Sequence, residues 1–308
     1  MTALADVSVI IPAWRAADTI GRALSSIRGQ TVLPRQVVVV DDGSDDGTFE
    51  AAEAWRDRMV PVELTVLRQP NSGAGAARNR ALQAAEGTYV ACLDADDQWL
   101  PAKIERSMLH LEGTNLVLAS HDFLAETPAG DWVYADCCRH FRAAADPFAA
   151  LFVRAYVATT TVVARRDAII AAGGFDASLR AAQDYELWLA MLSRPDADFV
   201  VFPEALTRYH YSAAGITSNV ERRRQCSLVV LRRHAASLRG RGWRGLAAVF
   251  KRALVIHYEA MGAHLARHRP VAGSWAAIRA VPALAGALAA FLAIPARPRL
   301  FTPPQDPV

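Results

Sequence analysis

Cysteine is scarce. Cys92, Cys137, Cys138 and Cys226 are the only four in 308 residues, and none stands at the paired spacing of a structural zinc site. The first thirty residues lack a basic stretch leading into a long apolar run and a cleavage site, so no secretory leader is legible. Both absences point to a reduced, cytoplasmic protein in which the adjacent Cys137 and Cys138 are structural thiols. Disorder is also missing as a theme: with 52% hydrophobic and 21% charged residues, no segment is poor in apolar side chains and dense in charge. No internal repeat is present. Acidic residues run out after position 220. Residues 221–308 hold 15 Lys and Arg against 3 Asp and Glu, a balance of +12, which leaves −9 on residues 1–220.

What is present is a rhythm of short β-branched runs and helical patterns, the pattern of βαβ units around a mainly parallel sheet. Val7 to Pro12 reads as a first strand. Asp18 is placed to cap a helix with apolar Ile20, Leu24 and Ile27 on one face, and Gln36 to Asp41 reads as a strand buried on both faces. A helix over Asp46–Arg58, a strand over Val62–Leu67, a helix over Gly73–Ala85 and a strand over Thr88–Leu93 follow. After Asp97 strict alternation ends. A helix from Pro101, a strand at Leu116–Ser120, an irregular stretch through Cys138, a strand near Val157–Ala164, a helix near Asp184 and edge strands at Asp198–Phe202 and Leu206–Tyr211 precede a helical tail.

Ligands of open α/β sheets bind beyond the carboxyl ends of the strands, so the polar residues following each buried run matter most. Asp94, Asp96 and Asp97 crowd the end of an apolar strand and repel one another unless a cation or solvent neutralises them. A hard divalent ion, Mg²⁺ or Mn²⁺, held by one or two carboxylates and by substrate phosphate oxygens, would do so; the alternative is a solvated turn capping the next helix. Asp41 and Asp42 are suited to accept hydrogen bonds from a base edge and ribose hydroxyls, or else belong to an ordinary turn with Asp46 as a helix cap. Ser72 to Asn79 departs from the dinucleotide fingerprint, which needs Gly or Ala where Arg78 stands. Its small residues allow a phosphate close to a helix N-terminus, with Arg78 as a fork of donors, or serve only tight helix packing.

Taken in order, Val9-Ile10-Ile11-Pro12, Val39-Val40-Asp41-Asp42-Gly43-Ser44, Ala77-Arg78-Asn79 and Leu93-Asp94-Ala95-Asp96-Asp97 with Trp99 and Pro101 resemble the family 2 glycosyltransferases over roughly residues 6–215. The resemblance implies an α/β fold of the GT-A type: a mainly parallel nucleotide-binding sheet flanked by helices over residues 1–219, with residues 1–100 binding the nucleotide sugar and 101–219 forming the acceptor and catalytic part. Residues 220–308 would be a basic helical extension. It further implies a nucleotide-diphosphate sugar donor, a saccharide or lipid-linked acceptor hydroxyl, inversion at the anomeric carbon and a role in cell-surface polysaccharide or glycolipid synthesis. Residue by residue, Pro12 and Ala13 would line the nucleoside pocket, Asp41 and Asp42 would contact the base, Arg78 would lie near the diphosphate, and Asp94 with Ala95 would meet the donor. Asp94 and Asp96 would hold the divalent cation. Gly173-Gly174-Phe175-Asp176 followed by Gln183-Asp184-Tyr185-Glu186 matches the segment that supplies the general base, which makes Asp184 that base, although Gln183 replaces the commoner Glu. Arg208-Tyr209-His210-Tyr211 with Gly215-Ile216-Thr217-Ser218 resembles the closing segment, where His210 would touch metal or phosphate or else be a structural histidine.

Two rivals are weighed against this reading. A sugar nucleotidyltransferase needs a Gly-rich triphosphate loop after the first strand, and Trp14-Arg15-Ala16-Ala17 is not one. A non-catalytic, membrane-associated nucleotide-sugar-binding protein would not be expected to retain Asp42, Asp94, Asp96 and Asp184 together. The basic tail lacks any aromatic-plus-basic nucleic-acid motif, so an anionic membrane surface suits it better, with the protein peripheral on the inner face of the cell membrane. Ala280 to Ala296 is uncharged but short, Ala-rich and interrupted by Pro282 and Pro295, and reads as a helix packed against protein rather than a span; an interfacial placement is the alternative.

Overall fold

A computed structural model describes residues 4–194, 196–212, 219–293 and 300–301. The Gly215–Ser218 motif and residues 294–296 of the apolar tail segment lie outside them.

The first half forms β1 (Ala5–Ala13), α1 (Ile20–Arg28), β2 (Pro34–Asp41), α2 (Thr48–Glu53), α3 (Arg56–Met59), β3 (Glu63–Arg68), α4 (Ala74–Ala84) and β4 (Tyr89–Cys92). The four strands pair in parallel in the order β4-β1-β2-β3. Their period-two pattern separates two apolar layers. Val7, Val9, Ile11, Val37 and Val39 meet Ile20, Leu24 and Ile27 of α1 on one face, while Ile10, Val38 and Val40 meet Ala77, Ala81 and Leu82 of α4 on the other.

Then come β5 (Gln98–Trp99), α5 (Lys103–Leu111), β6 (Leu116–His121), β7 (Phe123–Glu126), β8 (Trp132–Ala135), α6 (Cys138–Arg142), α7 (Pro147–Arg154), β9 (Val163–Arg165), α8 (Arg166–Ala171), α9 (Gln183–Leu192), β10 (Asp198–Phe202) and β11 (Thr207–Tyr209). Strands β9, β6 and β10 extend the main sheet to seven in the order β10-β6-β9-β4-β1-β2-β3, with β9 antiparallel to both neighbours. The mainly parallel, helix-flanked sheet expected from sequence is therefore present. A second sheet, β5-β11-β7-β8, covers the site.

Several local expectations are corrected. Leu206–Tyr211 is not an edge strand, because β11 lies between β5 and β7. The stretch through Cys138 contains the antiparallel pair β7–β8 and helix α6. Thr159–Thr161 turns as a short 3₁₀ helix before β9, so no strand covers Val157–Ala164. Asp18 does not cap α1, whose N-cap is Thr19 with no side-chain cap bond. Asp46 instead accepts from the Thr48 amide and hydroxyl at 3.1 and 2.5 Å, one residue before the N-cap Gly47.

One glycine is fixed by geometry. Gly43 has φ +75°, and a Cβ there would stand 2.8 Å from the Asn71 amide nitrogen and 3.2 Å from the Gln69 carbonyl oxygen. Left-handed backbone and collision add, so Gly43→Ala should cost about 2 kcal/mol or more, read as a lowered urea midpoint at unchanged slope. An unchanged midpoint would show that the β2 and β3 loops are not docked as described.

The tail comprises α10 (Val220–His234), a 3₁₀ segment at Ala235–Arg241, α11 (Gly242–Leu265), α12 (Pro270–Ile278) and α13 (Ala280–Leu292). Val230, Leu231, Val249, Ala253 and Ile256 of α10 and α11 join the same apolar cluster as Ile10, Phe175 and Trp188, so one core runs from the sheet into the tail.

Candidate active site

The carboxyl ends of β1, β2, β3 and β4 open on one edge of the sheet, and the loops there are bound to each other. The Ala13 carbonyl, 1% exposed like the rest of that residue, accepts from the Asp42 amide at 2.8 Å. Pro12 precedes it, partly buried. Asp41 is wholly buried; its Oδ1 accepts from the Ser44 amide at 3.0 Å, and Arg68 Nε lies 3.1 Å from its Oδ2. Asp42 accepts from Gln69 Nε2 at 2.7 Å and from the Ser72 and Gly73 amides at 2.9 and 2.8 Å. Both aspartates thus tie together the loops that follow β2 and β3.

The small residues opening α4 serve close packing. A side chain at Gly75 would meet the Asp176 and Ala177 backbone at 3.3 Å. Asn79 clamps the same segment, donating to the Phe175 carbonyl at 2.7 Å and accepting from the Phe175 amide at 2.8 Å. Arg78, between them, is buried beneath the site with its guanidinium 5.5 Å over the Phe175 ring and Nη2 2.6 Å from Asp94 Oδ1. Burial works against its charge, but Asp94 and then Asp184 outweigh it and hold its pKa above the usual guanidinium value. Arg78 therefore pairs with Asp94 directly and feels the charge of Asp184, ninety residues further along the sequence.

The acidic turn divides its work. Asp97 is 1% exposed and structural, accepting from the His210 amide at 3.0 Å with Oδ1, while Oδ2 has no hydrogen-bond partner. Ala95 is buried, and the Asp96 carbonyl accepts from Arg22 Nη2 at 2.6 Å. Burial, then the Asp94 charge, raises the Asp96 pKa; burial, then Asp94 and Asp96, pushes Asp97 well above the ordinary carboxylate range. Negative charge is crowded here beyond what Arg22 and Arg78 neutralise.

His210 is held by Glu126, whose Oε2 lies 3.0 Å from Nδ1 and also accepts from the Tyr211 amide at 3.2 Å. That carboxylate places the imidazole proton on Nδ1. Burial, then Arg22, lowers the His210 pKa, which favours the neutral ring, and its buried Nε2 has no partner among the described residues. Among the described residues no three His, Cys, Asp or Glu side chains form a ready-made metal cage. The donor set suits a cation completed by substrate oxygens: a crowded carboxylate turn and a neutral imidazole with a free lone pair.

Asp184 stands in the first turn of α9, partly exposed, and its Oδ2 accepts from Thr159 Oγ1 at 2.6 Å. It does not cap the helix; the N-cap is Ala182, at φ +61°. Glu186 and Asp176, on the same segment, pair with Arg233 of α10, and Tyr185 donates to the Phe152 carbonyl beneath the Arg252 guanidinium. A cavity of about 470 Å³ lies between α7 and α11, lined by Arg154, Lys251 and the stacked rings of His140 and Tyr156. Tyr156 is three residues from Thr159, so the cavity mouth lies within about 11 Å of chain from the Asp184 partner.

Sequence reasoning missed Thr159, Arg22, Glu126 and the Asn79 clamp. The Thr159-Thr160-Thr161 run carried a faint polar signal in an apolar stretch, whereas Glu126 depends on a pairing of β7 with β11 that no local pattern announces. The cysteines behave as expected: all four are free, and burial pushes the Cys92 and Cys137 thiols up to about 12.

The mixed sheet, with an aspartate pair and a crowded acidic turn at its parallel strand ends, is of the GT-A type. Residues 8–133 match the model of the glycosyl transferase family 2. Curated relatives at 35–38% identity match over stretches that span 29–40% of their own length, so the chain covers about a third of them. UDP-Glc:alpha-D-GlcNAc-diphosphoundecaprenol beta-1,3-glucosyltransferase WfaP of Escherichia coli is 28% identical over 61% of this chain and 70% of its own. TarS of S. aureus, solved with UDP-GlcNAc, superposes with a TM-score of 0.67 at 20% identity, covering 92% of this chain and 80% of TarS. The mannosyltransferase PcManGT from Pyrobaculum calidifontis, solved with GDP-Man and Mn2+, superposes at 0.59 with 24% identity over 94% and 76% of the two chains.

Proposed function

We propose that the protein transfers a sugar from a nucleotide-diphosphate sugar to a hydroxyl of a saccharide or lipid-linked acceptor, with inversion, in cell-envelope polysaccharide or glycolipid synthesis. The observation that carries this reading is the buried ion pair of Arg78 with Asp94 of the donor turn, in a field to which Asp184 of the acceptor side also contributes. The donor nucleoside lies along Pro12, Ala13, Asp41 and Asp42, and the diphosphate along Asp94 and Ala95 above Arg78. The acceptor enters from the side of Thr159. Asp184 takes the acceptor hydroxyl proton as its oxygen bonds to the anomeric carbon and the bond to the diphosphate oxygen breaks. Thr159 fixes the carboxylate so that Oδ1 faces the proton. Asp94 and Asp96, with His210 Nε2, would hold Mg²⁺ or Mn²⁺, whose charge stabilises the leaving diphosphate. The name of the glucosyltransferase WfaP carries a nucleotide-sugar donor and a lipid-linked acceptor, and the two solved complexes hold nucleotide-sugar donors.

The test is thermal stabilisation by UDP-, GDP- and dTDP-sugars, each with and without Mn²⁺. A cognate donor at a hundred times its Kd adds about 2.7 kcal/mol, a rise in Tm of about 5 °C, larger with the ion. If no nucleotide sugar at millimolar concentration moves Tm, the donor assignment is wrong.

A further inference from the structure

Helices α12 and α13 are built inside out. Their faces toward the protein carry Gly273, Ala276, Ala287 and Ala290, which pack on α11 and its neighbours; Gly273 is so close that a Cβ would stand 3.4 Å from the Leu265 side chain. Leu284 and Phe291 of α13 pack against the main core, but five other large side chains point away: Val271, Trp275, Ile278, Val281 and Leu292 are 71, 56, 60, 73 and 67% exposed. Their spacing puts them on one face and the small residues on the other. Between Pro270 and Leu292 the only polar side chains are Ser274 and Arg279, and only 22% of the most apolar window is buried. The expected helix packed against protein is therefore present along the small-residue face, but the opposite face is bare, whereas an ordinary surface helix buries its large apolar residues and exposes charge.

The segment is long and apolar enough to cross a membrane by length and composition. Its seat on α11 argues against a span, because α11 belongs to the main core through Val249, Ala253 and Ile256 and carries Lys251 and Arg252. A second copy is disfavoured by charge. Arg267, Arg269 and Arg279 border the exposed face, and Arg279 also pairs with Glu221 at 3.4 Å, in a tail of balance +12, so two such faces would bring like charges together.

We infer that the outward face of α12 and α13 is a membrane-docking surface that lies in the headgroup region of an anionic bilayer, with Trp275, Ile278 and Val281 inserted and the bordering arginines on lipid phosphate. A tryptophan among aliphatic residues, edged by arginines, suits the interface, where its ring is amphipathic and the cations meet anionic headgroups. This inference stands apart from the transfer reaction, and either can fail alone.

Full-length protein is sedimented with vesicles of phosphatidylcholine alone or with 30% phosphatidylglycerol. Binding is expected on the anionic vesicles, weaker on neutral ones and weaker again in 1 M salt. The triple variant Trp275→Ser, Ile278→Ser, Val281→Ser should bind at least tenfold more weakly, with an unchanged circular dichroism melt because these side chains already face outward. Should that variant fold poorly, Arg267→Gln with Arg269→Gln is expected to weaken binding to anionic vesicles alone. No vesicle binding overturns the inference. So does association of the free protein into dimers that the triple variant abolishes, or bound protein that resists alkaline carbonate, which marks a span.

Discussion

Asp184→Asn lowers kcat for sugar transfer by about 10²–10⁴-fold while KM for the donor and the melting temperature stay close to wild type. The amide keeps an oxygen for the Thr159 hydroxyl at the same position, so the local fold has no reason to change. What it lacks is a basic site for the acceptor proton. Thr159→Val should share part of the loss, because the free carboxylate then swings, and its defect should shrink at high pH where the acceptor hydroxyl yields its proton more readily. Steady-state kinetics with the cognate donor check both variants. Wild-type turnover by Asp184→Asn would move the base elsewhere in the site.

Asp96→Asn separates activity from stability in the opposite direction. Removing one carboxylate from the donor turn should lower transfer by at least 10²-fold and flatten its dependence on Mn²⁺ concentration. The same change should raise the melting temperature at pH 7. Burial and the Asp94 charge raise the Asp96 pKa in the folded protein, so the folded form holds that proton more tightly than the unfolded chain does. Stability from this group is fully present below the ordinary value of 3.8 and is lost as pH rises through the raised value. As pH rises above 3.8 the wild type should lose this contribution, while the amide variant has none to lose. The fall in urea midpoint between pH 3.8 and pH 7 should therefore be larger for the wild type. Equal falls in the two proteins would show that the turn is not strained by charge.

Much of the sheet was legible because buried strands leave unbroken records: Val37 to Val40 can sit only in the middle of a parallel sheet, and α1 shows its face through Ile20, Leu24 and Ile27. The four strand-end motifs were legible for the same reason, since each follows such a run directly. What escaped were features made by contacts distant in sequence. Asp41 and Asp42 read as ligand contacts, and what that reading did not include is that their oxygens meet Ser44, Arg68, Gln69, Ser72 and Gly73, because a carboxylate at a strand end is as useful for tying loops as for binding. Thr159 and Glu126 came from the second half, where β9 runs antiparallel and β11 is inserted between β5 and β7, so local periodicity said nothing about neighbours. The tail misled for a different reason: hydropathy reports that a helix is apolar but not which way its large residues point.

The continuous core that links the sheet to the tail has a mechanical consequence. Asp184 sits on α9; Arg233 and Arg252 fasten that segment to α10 and α11; and α12 and α13 rest on α11. A surface that grips these last two helices would thereby fix the position and tilt of α9, and with it the Asp184 carboxylate, relative to that surface. The chain would act as a gauge, selecting acceptors whose reactive hydroxyl projects to one height, so acceptor choice would depend on the length of the tail helices as well as on the walls of the site.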